Sequence, residues 1–205
     1  MPDFVFDVTE GVYRFKGGKQ VPQERIDNLV AKAADKASER LERLAKSYAK
    51  GTISHPEWVT ASTDQIKAAH RAVAMIAAGG KDRMGPKQWG HVGGRLRSEL
   101  AYLDRFVNLA DNAARAELGD AFIARAASYG QSVYMTHADG LARRHQNDET
   151  ASLEANELDD GAEHCDDCLD QTDAGEVPIG TLIPIGERSC QSRCRCRLVY
   201  SGVAA

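Results

Sequence analysis

All five cysteines of this chain fall between positions 165 and 196, as Cys165-x2-Cys168 followed by Cys190-x3-Cys194-x-Cys196. Two cysteines two apart fit a knuckle, a tight turn that aims both thiolates at one ion. A second cluster about twenty residues on completes a tetrahedral site. The segment between them, GEVPIGTLIPIGERS, is rich in Gly and Pro, as suits a ribbon folded around a metal rather than around a core. The spacing predicts one structural zinc. Zinc takes four ligands, so one cysteine is left over. Cys165 and Cys168 form the first pair. Cys194 and Cys196 would point to one face of a strand, and Cys190 and Cys194 would suit a loop or helical turn. For the second pair we favour Cys190 with Cys196, keeping Cys194 as the alternate. His164 can stand in for a thiolate or lie beside the site. The competing reading is reduced or disulfide-bonded cysteines in a loop-rich tail. An odd cysteine count and no secretory signal in MPDFVFDVTE weigh against disulfides, and predict a reducing compartment.

Charge divides the chain at the same place. From residue 151 onward 11 Asp and Glu face 4 Arg, while residues 1–150 hold 19 acidic and 22 basic residues. A net charge of −4 for the whole chain excludes a generally basic nucleic-acid coater. Its longest apolar run, AVAMIAA at 72–78, is too short to span a bilayer. In the acidic surroundings of the tail, Arg188, Arg193, Arg195 and Arg197 read as solvated or carboxylate-paired.

The cysteine-free part reads as helical. Residues 4–21 alternate in short pieces around Gly17-Gly18 and predict a hairpin or extended arm. From residue 23 apolar side chains recur every three or four positions as far as Tyr48, and Gly51 follows as a C′ residue. Ser54-His55-Pro56-Glu57 is a capping box, with Ile53 and Trp58 placed as its hydrophobic staple. A third helix begins near Gly85-Pro86. A fourth begins near Asp120 and runs through Ile123, Ala127, Val133, Tyr134 and Leu141. The expected fold is mainly α, a bundle of about four long helices with a small C-terminal Cys-rich, zinc-ribbon-like module. Its units are an arm over 1–21, a helical body over 22–145, an acidic linker over 146–163 and the Cys-rich module over 164–205.

Nothing in the sequence points to catalysis. Trp89-Gly90-His91-Val92-Gly93-Gly94 lacks the strand–turn–helix setting of a phosphate loop, and its glycines predict close backbone packing at a helix crossing. Patterns for a nucleophile elbow, a zinc protease or a Walker loop are missing. His55, His70, His91, His137 and His145 have no partner at ligand spacing and read as satisfied or solvated.

The ordered motifs resemble one family. They start at Tyr13-Arg14 and Gly18-Lys19-x-Val21, and continue through Gly51-Thr-Ile53-x5-Val59 and Ile66-Lys67-x2-His70 to Ala77-Ala78-Gly79-Gly80. Then follow Trp89-Gly90-x2-Gly93, Leu100-x-Tyr102-Leu103-x2-Phe106 and Arg125-x3-Tyr129-Gly130. The series ends with His164-Cys165-x2-Cys168, Pro178-Ile179-Gly180 and Cys194-Arg195-Cys196. Over roughly 13–200 this is similar to the head morphogenesis or minor head proteins of tailed phages, the Mu F-like type. Some relatives carry His-Pro where this chain has Cys190. The resemblance implies a structural, non-enzymatic assembly protein at or near the portal vertex. Implied partners are portal or major capsid proteins, with scaffold or packaged DNA as further contacts and neither a membrane nor a small-molecule substrate. The implied location is the virion head, or the host cytoplasm during assembly. The rival expectation is a free-standing zinc-ribbon adaptor or regulator that binds nucleic acid.

Overall fold

The computed structural model describes residues 4–111, 115–148, 151–190 and 194–202. The elements in chain order are β1 (Phe4–Asp7), β2 (Val12–Phe15), α1 (Gln23–Ala49), α2 (His55–Ala77), α3 (Pro86–Asp111), α4 (Asp120–Ser128), α5 (Val133–Asp148), β3 (Leu153–Glu157), α6 (Asp166–Asp173), β4 (Val177–Pro178) and β5 (Arg197–Ser201). Short 3-10 turns occupy Lys81–Arg83 and Arg115–Glu117. The protein is mainly helical, with a small sheet and the cysteines together near the C-terminal end. No helix among the described residues is long and apolar enough to cross a membrane.

The predicted arm is an antiparallel hairpin in which Phe4 pairs with Phe15 and Asp7 with Val12. α1 buries Ile26, Val30, Ala34, Ala37, Leu41, Ala45 and Tyr48, one stripe at three-and-four spacing. It ends in a Schellman motif. Gly51 has φ 73°, its N–H donates to Tyr48 O at 2.9 Å, and Thr52 N–H donates to Ser47 O at 2.9 Å. The capping box forms as expected, with Ser54 N–H donating to the Glu57 carboxylate at 2.7 Å and Glu57 N–H donating to Ser54 Oγ at 3.4 Å. Ser54→Ala removes that acceptor and is expected to cost about 1 kcal/mol in urea denaturation.

Two cores fill the body. The first joins the hairpin residues Phe4, Phe6 and Tyr13 to the N-terminal half of α1, the C-terminal half of α2 and Val133. In the second, the C-terminal half of α1 and the N-terminal half of α2 pack with α3 and α4 around Trp58. Tyr48 stacks on Trp58 with ring centroids 4.8 Å apart, and Phe106 and Phe122 approach Trp58 at 5.9 and 5.3 Å.

The fourth predicted helix is divided. α4 lies against α1, and α5 lies mainly against α2. Between them Gly130 passes so close to α1 that a Cβ there would stand 2.3 Å from Ser38 N. Gly130→Ala must push the two helices apart, and is expected to cost on the order of 2 kcal/mol in the same denaturation experiment. By contrast, a Cβ on Gly90, Gly93 or Gly94 would meet nothing within 4 Å, so the glycines of α3 mark no helix crossing. The close approach lies on α5, where a Cβ on Gly140 would meet Ala77 Cβ at 2.6 Å.

His70 is wholly buried between α2 and α5, with Nδ1 2.6 Å from Thr136 Oγ1 and Nε2 3.0 Å from Ser132 Oγ. Burial, and then the Arg95 charge, lower its pKa from 6.5 to about 4. The unfolded chain therefore binds the proton first. This contribution is complete above pH 6.5 and is lost as pH falls toward about 4. We expect the folded protein's His70 resonance to remain that of a neutral imidazole as pH is lowered through 6.5. Titration at the ordinary value would refute this.

The segment expected to be an acidic linker carries α5 on to Asp148 and then becomes β3, the central strand of a three-stranded sheet ordered β4-β3-β5. Its buried face is polar: Glu154 is 2% exposed and Asn156 5%. The Glu154 carboxylate is satisfied there by accepting from Gly180 N–H and Leu182 N–H, both at 2.9 Å.

Candidate metal centre

The C-x2-C pair lies at the start of α6. Cys165 is the N-cap, and its carbonyl accepts from Cys168 N–H and Leu169 N–H at 2.9 and 3.2 Å. Both cysteines thus sit at the N-terminal end of a helix. Cys190 arrives on a loop fastened to that first turn, because Ser189 N–H and Oγ–H donate to the Asp167 carboxylate at 2.7 and 2.6 Å. Cys194 and Cys196 come just before β5, which is held in register by β3 from Leu153↔Ser201 to Glu157↔Arg197.

These elements bring all five sequence-predicted residues together. Cys168 Sγ lies 3.5 Å from Cys165 Sγ, 3.6 Å from Cys190 Sγ and 3.7 Å from Cys194 Sγ. Cys165, Cys168 and Cys190 have mutual separations within 4.8 Å, as do Cys168, Cys194 and Cys196. Cys168 belongs to both groups. All five are free thiols, and a disulfide would need sulfurs about 2.05 Å apart. Cys196 Sγ also lies 3.8 Å from His164 Nδ1. Clustered in this way, the cysteines can hold a metal ion.

Electrostatics point the same way. Burial acts to raise every shifted thiol here. For Cys168 it is outweighed by hydrogen bonds from Arg188 and the neighbouring cysteines, which bring the group down to about 6. Burial pushes Cys190 and Cys194 up, and Cys196 up to about 12. Sulfurs this close cannot all ionise unless a cation joins them.

Arg188 was not recognisable from the sequence as part of this site. It is 1% exposed rather than solvated, and no carboxylate among the described residues pairs with it. Its Nη1 donates to Asn156 Oδ1 at 2.7 Å and to Cys168 Sγ at 3.7 Å, and its Nε donates to Ile183 O at 3.0 Å. Nη2 is buried without a hydrogen-bond partner. A buried guanidinium needs a countercharge, and a metal–thiolate cluster with excess negative charge provides one. Asn156 completes the support, its Nδ2 donating to Cys168 O at 3.1 Å. Arg197 does pair with carboxylates, Glu157 at 2.6 Å and Asp27 at 3.6 Å, while Arg193 lies outside the described residues.

The histidines form no second centre among the described residues. His145 stacks on Tyr200 at 4.4 Å, and His55 Nε2 lies 3.3 Å from Val107 O. Compared with known proteins, the chain matches no family model, no curated protein and no solved structure.

Proposed function

We propose that this chain is a structural assembly protein of a tailed-phage head, a minor head protein acting at or near the portal vertex, with a C-terminal module built on one zinc ion. The observation that carries the reading is a convergence. The two most characteristic pieces of the resembling series, His164-Cys165-x2-Cys168 and Cys194-Arg195-Cys196, lie at one point in the fold. Four thiolates close a tetrahedral shell and leave no open position, which suits a structural metal and not catalysis.

Zinc is the ion we assign. A zinc–sulfur bond of about 2.3 Å sets tetrahedral sulfurs about 3.8 Å apart, close to the 3.5–3.7 Å spacings around Cys168. On these distances from Cys168 we assign Cys165, Cys168, Cys190 and Cys194 as ligands, with the ion drawing Cys194 toward Cys165 and Cys190, from which it now stands apart in the group of Cys168 and Cys196. Cys196, preferred on spacing alone, then flanks the shell beside His164. Metal analysis of purified protein should return about one zinc per chain. Cys194→Ser should lose it, and Cys196→Ser should retain it. The opposite pattern would restore the set containing Cys196.

The assembly role is tested by expressing the full chain with the portal and capsid proteins encoded beside it. Co-purification with the portal, and recovery of the chain in purified heads by mass spectrometry, is the expected result. Tight duplex DNA binding with no association with head components would favour a nucleic-acid adaptor and overturn this reading.

A further inference from the structure

Helices that pack together ordinarily face each other with apolar side chains. α3 and α5 do not, where they meet over the end of α2. The facing positions on α3 include Gln88, His91 and Arg95, and those on α5 include Thr136, Asp139 and Arg143. Both sets follow three-and-four spacing, each a polar stripe interrupted by one residue, Val92 on α3 and Gly140 on α5. Arg83, from the turn after α2, and Arg144 border the same cavity. Four arginines therefore line one small space, the Arg144 guanidinium donating to Tyr13 Oη and Ala77 O and lying over the Phe6 ring, and Asp139 is the one carboxylate among the residues lining it.

That carboxylate is engaged, since Arg143 Nε donates to Asp139 Oδ1 at 2.9 Å. Arg95 donates from Nη2 to Met135 Sδ and has Glu99 at 3.9 Å, while its Nε is buried with no hydrogen-bond partner. Positive charges in a partly enclosed site repel one another more strongly than in water. The cavity measures about 60 Å³, room for about four waters at roughly 15 Å³ each. A tetrahedral anion presents four oxygens, and guanidinium forks donate to such oxygens in pairs.

We infer that this cavity binds one phosphate group, held between Arg95 of α3 and Arg143 of α5 with Arg83 and Arg144 completing the wall. This site includes none of the cysteines and does not depend on the head-protein reading. A phosphate near pH 7 carries about −1.5 to −2 charges and competes with the Asp139 carboxylate for Arg143.

The test uses the full-length protein, with inorganic phosphate as the probe and chloride at matched ionic strength as the reference. Phosphate should raise the melting temperature saturably, and calorimetry should give one site per chain. Arg95→Gln and Arg143→Gln should each weaken binding by about tenfold or more. The Arg143 side chain is 42% exposed, so Arg143→Gln should fold normally and keep the test decisive even where Arg95→Gln does not fold. Asp139→Asn should tighten binding. A short DNA duplex distinguishes the source of the phosphate. Duplex displaced by phosphate identifies a phosphodiester, and phosphate binding without duplex binding identifies a small phosphate; either supports the site. No saturable effect beyond chloride, or unchanged phosphate affinity in Arg143→Gln, overturns it. So does duplex binding with which phosphate does not compete.

Discussion

Cys168→Ser is expected to abolish metal binding and unfold the C-terminal module. Its sulfur belongs to a residue only 1% exposed, touches three other cysteine sulfurs and is shared by both groups of three. Serine is a poor zinc ligand, and losing this thiolate also leaves buried Arg188 without its negative neighbour. Zinc binding in small structural sites contributes about 10–16 kcal/mol, comparable to the whole stability of an average domain at about 5–15 kcal/mol. A chelator in excess should reproduce the effect on the native protein. The measurement combines metal content with near-UV circular dichroism. A variant that keeps both metal and native stability would show that the cluster is not the metal centre. α1 to α4 should stay helical. α5 is the exception: Met135 packs in the same apolar group as Cys168 and Ile185, and His145 stacks on Tyr200 of β5, so part of α5 loses its cover.

Trp58→Ala is expected to be the most damaging change in the body, costing about 3–5 kcal/mol. Trp58 is fully buried, is stacked on Tyr48 and meets Phe106 and Phe122. Its indole N–H has no hydrogen-bond partner. Trp58→Phe therefore keeps an aromatic ring in the cluster while removing an unsatisfied donor, which by itself costs about 1–3 kcal/mol when buried. Urea denaturation should place Trp58→Phe much closer to the parent than Trp58→Ala. Equal losses for the two variants would show that ring shape, and not burial, governs this core.

The features legible in the sequence are those fixed by neighbours along the chain. Capping at Ser54, the helix end at Gly51, the hairpin and the gathering of cysteines depend on residues a few positions apart, or on strong metal-ligand chemistry. The division of α4 from α5 was hidden, because Ile123, Ala127, Val133 and Tyr134 continue a helical pattern across it. At the break Gly130 passes against Ser38, a contact between residues distant in sequence. β3 was hidden for another reason. Its buried residues are Glu154 and Asn156, the reverse of the apolar-inward pattern by which a strand is recognised. The same reversal concealed Arg188. A charged residue among many acids reads as solvated until Asn156 and Cys168 are seen around it.

The strand order of the small sheet imposes a schedule on synthesis. β3 is the middle strand but precedes both of its neighbours, β4 at Val177–Pro178 and β5 at Arg197–Ser201. A chain emerging from the ribosome completes α1 to α5 well before β5 exists, so the helical part can fold while β3 waits with unpaired edges. Chains cut short before Arg197 keep that edge open and are the ones expected to associate wrongly, strand against strand.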